Sequence, residues 1–407
     1  MILPWVYLGY MFISFYLLLL FLILYFRNRD TFFEIPKLTK KYSVSFLVPA
    51  YNEEKTITET IKHLFEIDYD NIVEVIAIND GSTDNTLQIL KALKKAYPKL
   101  KILNKQNSGK ADSLNVALKF ALGELVIVVD ADSYPHKDAL SKLIGFFDNP
   151  KTGVATATAV PRNNNTLLEN LQAMEYRVIA FTRKLLGYID SIYVAPGTLA
   201  IYRKKALLDI GGFDKTQMTE DVEITWRLIK HGWKVKMCLD AYVTTTVPNK
   251  IKAWYRQRRR WSVGGLQCLV KYRKNFLKDG MLGLFIIPFF ALGFFLGVVG
   301  LGILIYLSGL RIIRNYLFTK YSLEVGVPVL TLNNLYFTPT VLNYFGFLLF
   351  FLFLIFNLFV FSIMKDVYFK KQSFFNLLFF MVVYIMIRPI LTVVSIYNLF
   401  IGRRVWR

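Results

Sequence analysis

Acidic residues recur at the ends of apolar, β-rich runs, and their types suit phosphate and hydroxyl chemistry. Val129-Asp130-Ala131-Asp132-Ser133 carries two carboxylates one residue apart. Such a pair suits Mg²⁺ or Mn²⁺, hard ions held by one or two carboxylates together with waters and substrate phosphates. For an isolated pair of this kind, a turn former and a helix N-cap is the commoner reading. Val48-Pro49-Ala50-Tyr51-Asn52-Glu53-Glu54 and Asn79-Asp80-Gly81-Ser82-Thr83-Asp84 place further acids after two earlier runs. Asn107-Ser108-Gly109-Lys110 lacks the glycine spacing of a phosphate loop, although a Gly-Lys at a helix N-terminus can approach a phosphate. Thr219-Glu220-Asp221 opens a helical pattern, where a threonine cap and acids in the first turn are ordinary. Tyr255-Arg256-Gln257-Arg258-Arg259-Arg260-Trp261 is the basic counterpart, open to nucleic acid, lipid or a phosphorylated ligand. Each signal alone is weak. Their order along one chain narrows the reading.

Periodicity along the chain shows which strands and helices carry these residues. Candidate strands are Val44–Val48, Val73–Ile78, Lys101–Leu103, Glu124–Val129, Val154–Val160 and Gly197–Tyr202. Helical patterns at Glu54–Phe65, Asn85–Ala96, Lys110–Ala121 and Lys137–Phe147 lie between them. Strand–helix alternation predicts an α/β domain with a mostly parallel sheet, over about residues 42–249. Ligands of such sheets bind beyond the carboxyl ends of the strands, where the acids fall.

Around that domain the composition changes. The chain of 407 residues is 54% hydrophobic and 16% aromatic, with 19% charged residues and a formal net charge of +21. That balance implies membrane spans beside a globular part. Residues 1–27 read as an uncleaved anchor with a basic flank on the cytoplasmic side. Lys250–Lys274 mixes basic residues with Trp254, Tyr255, Trp261, Leu266 and Leu269, as in a helix lying along a membrane surface. Met281–Ser308, Val341–Met364 and Phe374–Ile401 are each long enough to cross, and Arg311–Thr340 reads as a polar loop. One leading and three trailing spans put Arg403, Arg404 and Arg407 outside, against the positive-inside tendency. Phe374–Ile401, interrupted by Arg388-Pro389, is the segment in question, since a charge at that depth must face protein or water. Two cysteines, Cys238 and Cys268, and three scattered histidines give no disulfide framework and no His-rich metal site.

Taken together, Pro49–Glu53, Asn79–Ser82, Gly109–Ala111, Asp130–Asp132, Thr219–Asp221 and Gln257–Trp261 resemble the ordered motifs of membrane-embedded family 2 glycosyltransferases, the group of the hyaluronan, cellulose, chitin and poly-N-acetylglucosamine synthases. The resemblance runs from about Val44 to Trp261. It implies a GT-A, Rossmann-like cytosolic domain inserted between transmembrane helices, with an amphipathic interface helix at 250–275 and a membrane region at 281–401. It further implies that Tyr51, Glu53, Asp80 and Lys110 hold the nucleotide. Asp130 and Asp132 would bind nucleotide and Mg²⁺ or Mn²⁺. Glu220 and Asp221 would be the catalytic carboxylates, with Asp221 the general base. Gln257, Arg260 and Trp261 would serve the diphosphate and the acceptor, with Pro196-Gly197-Thr198 a looser match to the acceptor loop. Arg256, Arg258 and Arg259 are then left for lipid headgroups or helix packing.

The implied reaction is inverting transfer from a UDP-sugar to a growing β-linked saccharide, with N-acetylglucosamine the first choice of sugar and glucose the second. The enzyme would sit in the cell membrane with its catalytic domain in the cytoplasm. Transfer of one sugar to a lipid-linked acceptor is the alternative, although Q-x-x-R-W favours a polymer. A nucleic-acid-binding protein would explain the arginines but not the acids at successive strand ends. A transporter would explain the spans but not Asp130, Asp132 and Asp221. Four segments make a small bundle, which leaves room for a second copy or another subunit.

Overall fold

The computed structural model describes residues 2–326, 341–364 and 373–401. Within them one sheet contains β1 (Val44–Ala50), β2 (Ile72–Asp80), β3 (Leu100–Lys105), β4 (Leu125–Val128), β5 (Ser133–Pro135), β6 (Thr152–Pro161), β7 (Ala200–Arg203) and β8 (Lys234–Thr245), in the order β3-β2-β1-β4-β7-β6-β8-β5. Strands β3, β2, β1 and β4 are parallel, and so are β6 and β8, but β7 runs against both its neighbours and β5 against β8. The sheet is therefore mixed rather than mostly parallel. The reason is local: Ala195–Leu199 enters at the carboxyl end of β4, where Asp130 N–H donates to Gly197 O at 2.8 Å, so β7 must run back along β4.

Alternation along the strands sends Leu47, Ile76, Ile78, Val126 and Val128 into one apolar layer and Phe46, Val48, Val75, Ala77 and Ile127 into the other. Helices α1 (Ile2–Asn28), α2 (Ile57–Phe65), α3 (Thr86–Ala96), α4 (Lys110–Phe120), α5 (Ala139–Ile144), α6 (Leu167–Gly187), α7 (Lys204–Asp209) and α8 (Glu220–Lys230) accompany the sheet. The first layer also takes in Leu24 of α1, and Phe181 of α6 packs against Tyr25 at 5.7 Å.

Two long elements have no counterpart among the predicted ones, β8 and α6. Helix α6 starts at a capping box: Thr166 Oγ1 accepts from Glu169 N–H, and the Glu169 carboxylate accepts from Thr166 N–H. Its buried face carries Glu169, Glu175, Arg177 and Arg183, so it does not present an apolar stripe.

Beyond β8, α9 (Ile251–Tyr272) leads through a π-helical turn, Leu282–Ile286, into α10 (Ile287–Val325). The polar loop expected from Arg311 is helix as far as Val325; no Gly or Pro interrupts it before Gly326, which stops it in the left-handed region at φ +69°. Residues 327–340 lie outside the described ones. At 1.5 Å per residue the 39 residues of α10 extend about 58 Å, well beyond a hydrocarbon core of about 30 Å. Helix α11 (Val341–Ile363) follows, then α12 (Phe374–Phe379), a π-helical Phe380–Tyr384 and α13 (Ile385–Ile401). Among the described residues four helical stretches are long and apolar enough to cross a membrane: Pro4–Thr31, Leu282–Val325, Gly346–Ile363 and Phe374–Leu399. The Arg388 question resolves toward protein, because its guanidinium donates to Glu175 Oε1 at 2.6 Å. Arg403, Arg404 and Arg407 lie outside the described residues.

Candidate active site

Because β1, β2 and β4 are parallel, their carboxyl ends open on one edge, and the loops that follow them meet there. Asn52, held at φ +56°, clamps two of these loops. Its N–H donates to Ser82 Oγ, and its Oδ1 accepts from Thr83 N–H at 2.8 Å. Asp80 ends β2 and accepts from Ser108 N–H at 3.0 Å, Gly109 N–H at 2.9 Å and Lys105 Nζ at 2.7 Å. That carboxylate sets the start of α4, and hence the root of Lys110.

A cavity of about 350 Å³ opens at this edge. Every residue to which the family resemblance assigns a nucleotide, metal, catalytic or acceptor role lines it: Tyr51, Glu53, Asp80, Lys110, Asp130, Asp132, Glu220, Asp221, Gln257, Arg260 and Trp261. Pro196, Gly197 and Thr198 line it as well. Lys110 is the hub, with its Nζ 2.5 Å from Asp130 Oδ1 and 2.8 Å from Glu220 Oε1. Burial works against the ammonium, but Asp130, Glu220 and Asp221 hold its pKa above the ordinary lysine value. Gly197 permits this packing, since a Cβ there would lie 2.6 Å from Lys110 Nζ and 3.0 Å from Asp130 Oδ1.

The remaining carboxylates repel one another. Burial, then the charges of Asp130 and Glu53, push the Asp132 carboxyl up to about 7. Burial also raises Glu53, against a hydrogen bond from Thr56, with Asp130 and Asp84 adding to the rise. A crowded acidic pair of this kind fits a hard divalent cation that draws its other ligands from phosphate and water. Among the described residues no group of three or more His, Cys, Asp or Glu forms a complete metal site. Asp130 and Asp132 are the lining carboxylates that could hold such a cation.

Helix α8 supplies Glu220 and Asp221 in its first turn. Burial, followed by the charge of Glu220, raises the Asp221 carboxyl to about 6, while Lys110 and Arg260 oppose the rise. Burial opposes ionisation of Glu220 too, but Lys110 outweighs it and keeps that carboxyl below its ordinary value. Helix α9 brings Gln257, Arg260 and Trp261 to the opposite wall. It lies flush against Thr219 at Gly264, where a Cβ would fall 2.1 Å from Thr219 Oγ1. Arg260 makes no hydrogen bond or ion pair among the described residues, which leaves its guanidinium for a ligand.

Comparison with known proteins bears directly on this arrangement. Residues 41–264, more than half of the chain, match the family described as Glycosyltransferase like family 2. The chain belongs to that family. It is 32% identical over 287 residues to a poly-beta-1,6-N-acetyl-D-glucosamine synthase of Staphylococcus epidermidis, covering 69% of each chain. It is 31% identical over 251 residues to the enzyme of the same name from Staphylococcus aureus strain COL, covering 60% of each. Among solved structures, the mannosyltransferase PcManGT from Pyrobaculum calidifontis, in complex with GDP-Man and Mn²⁺, superposes with a TM-score of 0.55 at 22% identity, over 69% of this chain and 79% of that one. At that identity the likeness is one of fold, and the sheet domain is a GT-A-like glycosyltransferase domain.

The glycosyltransferase cavity also has a wall that the sequence did not announce. Tyr176 of α6, with Thr245 and Thr246 at the end of β8, lines it. These come from the two elements missed in the sequence. The capping box Thr166-x-x-Glu169 was the available signal for α6, but it does not single out Tyr176. The hydroxyls of Thr198 and Thr219, two of the lining residues, are buried without a hydrogen-bond partner among the described residues. Of the basic cluster, Arg256 is exposed, whereas Arg258 is buried and goes to helix packing rather than to lipid.

Proposed function

We propose that this glycosyltransferase moves N-acetylglucosamine from UDP-N-acetylglucosamine onto a growing β-linked, membrane-extruded polysaccharide, with its catalytic domain on the cytoplasmic side. The observation that carries this reading is the single cavity that joins phosphate-seeking groups, one base and one aromatic platform. The identity to the two staphylococcal enzymes, poly-β-1,6-N-acetylglucosamine synthases by name, supports the choice of sugar and of a 1,6 linkage.

In this reading Tyr51, Glu53 and the Asp80-anchored loop receive the uridine. Arg260 and Lys110 face the diphosphate through charge-assisted hydrogen bonds. Asp130 and Asp132 would hold Mg²⁺ or Mn²⁺, whose contribution is to neutralise leaving-group charge. Asp221 accepts the proton of the acceptor hydroxyl as that oxygen bonds to the anomeric carbon. The bond from that carbon to the diphosphate breaks on the opposite face, and UDP leaves. One displacement inverts the anomeric centre and gives a β-linkage from an α-linked donor. Trp261 offers a flat apolar face to the pyranose at the acceptor end.

The test is purified protein in lipid nanodiscs with Mn²⁺ or Mg²⁺ and labelled UDP-N-acetylglucosamine, UDP-glucose or UDP-glucuronate, with the products sized. A ladder of N-acetylglucosamine oligomers is expected. A single lipid-linked sugar would replace this reading with transfer to a lipid acceptor, and turnover with UDP-glucose alone would replace the sugar.

A further inference from the structure

We propose that Glu175 and Arg258 are positioning residues that fix the plane of Trp261 and tie it to the last membrane helix. The inference rests on the proposed acceptor role of Trp261 and adds to the motif a support drawn from α6 and α13.

Glu175 lies on α6 with its side chain 4% exposed, and its two oxygens are fully used. Oε2 accepts from Arg258 Nη2 at 2.5 Å, Arg258 Nε at 3.1 Å and Tyr384 Oη at 2.8 Å. Oε1 accepts from Arg388 Nη2 at 2.6 Å. Trp254 of α9 in turn donates its Nε1–H to Tyr384 Oη at 2.9 Å. Burial opposes the Glu175 charge, but Arg258 and Arg388 hold its carboxyl at about 2, so it is ionised at every working pH. Side chains from α9, the π-helical turn and α13 therefore converge on one carboxylate of α6.

Arg258 is where this cluster meets the site. Its guanidinium carbon lies 4.1 Å from the centroid of the Trp261 ring, and its Nη1 donates to Gln257 Oε1 at 2.6 Å. The Tyr176 ring lies 6.4 Å from Trp261, tilted by 36°. A guanidinium stacked on one face of the indole leaves the other face for a ligand. Because Glu175 grips Arg258 at two nitrogens, the guanidinium cannot rotate without breaking both bonds, and the indole plane is set with it. Arg388 shares the Glu175 carboxylate, so Arg258 is not its sole counter-charge, and the Arg258 cation lies over the indole π face as a cation–π contact requires. Gln257 is steered by the same guanidinium, so two residues of Q-x-x-R-W depend on the residue between them.

Arg258→Lys tests this without removing the charge that Glu175 needs. Lysine can still pair with Glu175, but it cannot stack as a plane or reach Gln257 at the same time. The expected result is a KM for N-acetylglucosamine oligosaccharide acceptor raised about tenfold, with shorter products and a donor KM within about twofold of wild type. Tyr384→Phe, which removes one hydroxyl from the cluster, should move acceptor KM and product length the same way by a smaller factor. If both variants keep wild-type acceptor KM and product length, or lose only kcat in step with the folded fraction, Glu175 and Arg258 are mere helix ties and the inference is overturned. If the wild type itself shows no acceptor-dependent elongation, the proposed function has failed, and this inference falls with it.

Discussion

Lys110 Nζ sits 2.5 Å from Asp130 Oδ1, so one of the two carboxylates suited to a divalent cation is already paired with a lysine. The same ammonium reaches Glu220 at 2.8 Å, on the helix that bears Asp221, the proposed base. In the proposed function, donor arrival would rearrange this hub: the diphosphate would bring negative charge to Lys110 and free Asp130 for the accompanying cation, coupling donor and cation through one side chain.

Replacing that side chain should split the two events. Lys110→Met is expected to tighten Mn²⁺ binding in the absence of nucleotide, because Asp130 loses its competitor. It should raise the donor KM by roughly tenfold to a hundredfold, the usual scale for a lost charge-assisted hydrogen bond to phosphate. Mn²⁺ titration followed by electron paramagnetic resonance, together with UDP-release kinetics, measures both. An unchanged donor KM would remove Lys110 from the diphosphate.

The acid limb of the pH–rate profile should report Asp221. Only its ionised form accepts a proton, so with the carboxyl raised to about 6, turnover falls as pH drops through about 6. Glu220→Gln removes a neighbouring charge that contributes to the rise, and the limb should move to lower pH. Asp221→Asn should lower kcat by about 10²- to 10⁴-fold. The stability sign is opposite: a folded pKa above the unfolded one means the native state holds the proton more tightly. The ionised residue is therefore a cost that develops above about pH 4 and is complete above about pH 6. At pH 7 Asp221→Asn should melt no lower than wild type. A variant that loses activity by unfolding would contradict this.

Gly264 predicts a defect that acts through packing rather than through a lost ligand contact. A methyl there would overlap Thr219, whose Oγ1, Cγ2 and Cβ would lie at 2.1, 2.5 and 2.7 Å. Gly264→Ala must push α9 away from the turn that carries Glu220 and Asp221. A loss of about 1–3 kcal/mol in stability is expected, the range for overpacking a fitted contact. The kcat of the remaining folded enzyme should also fall, as circular dichroism melts and activity per folded molecule would show.

The strand ends were legible because apolar runs bounded by turn residues have few alternatives, and the acids that follow β1, β2 and β4 converge once those strands are parallel. What escaped were elements whose burial contradicts their polarity. Helix α6 buries Glu175, Arg177 and Arg183 and so shows no apolar stripe, while β8 alternates only over Lys234–Met237 before consecutive residues are buried at Met237–Leu239 and Ala241–Val243. Tyr176, Thr245 and Thr246 were hidden with them. The long α10 was cut short for a related reason: Arg311, Arg314 and Lys320 read as loop, although nothing in Arg311–Val325 breaks a helix. Arg388 looked like a flaw in a span because its partner, Glu175, is 213 residues away. Single-sequence patterns do not see such pairs.

The grip of Glu175 on Arg388 has a practical consequence for anyone wishing to prepare the catalytic domain alone. A fragment ending after α9 would keep the motifs but strip Tyr384 and Arg388 from a buried carboxylate, and would bare the Phe181 side of α6 that packs on Phe356 and Phe359 of α11. Such a truncate should be poorly soluble and prone to clumping. Detergent or nanodisc preparations of the undivided chain are the material on which its chemistry can be measured.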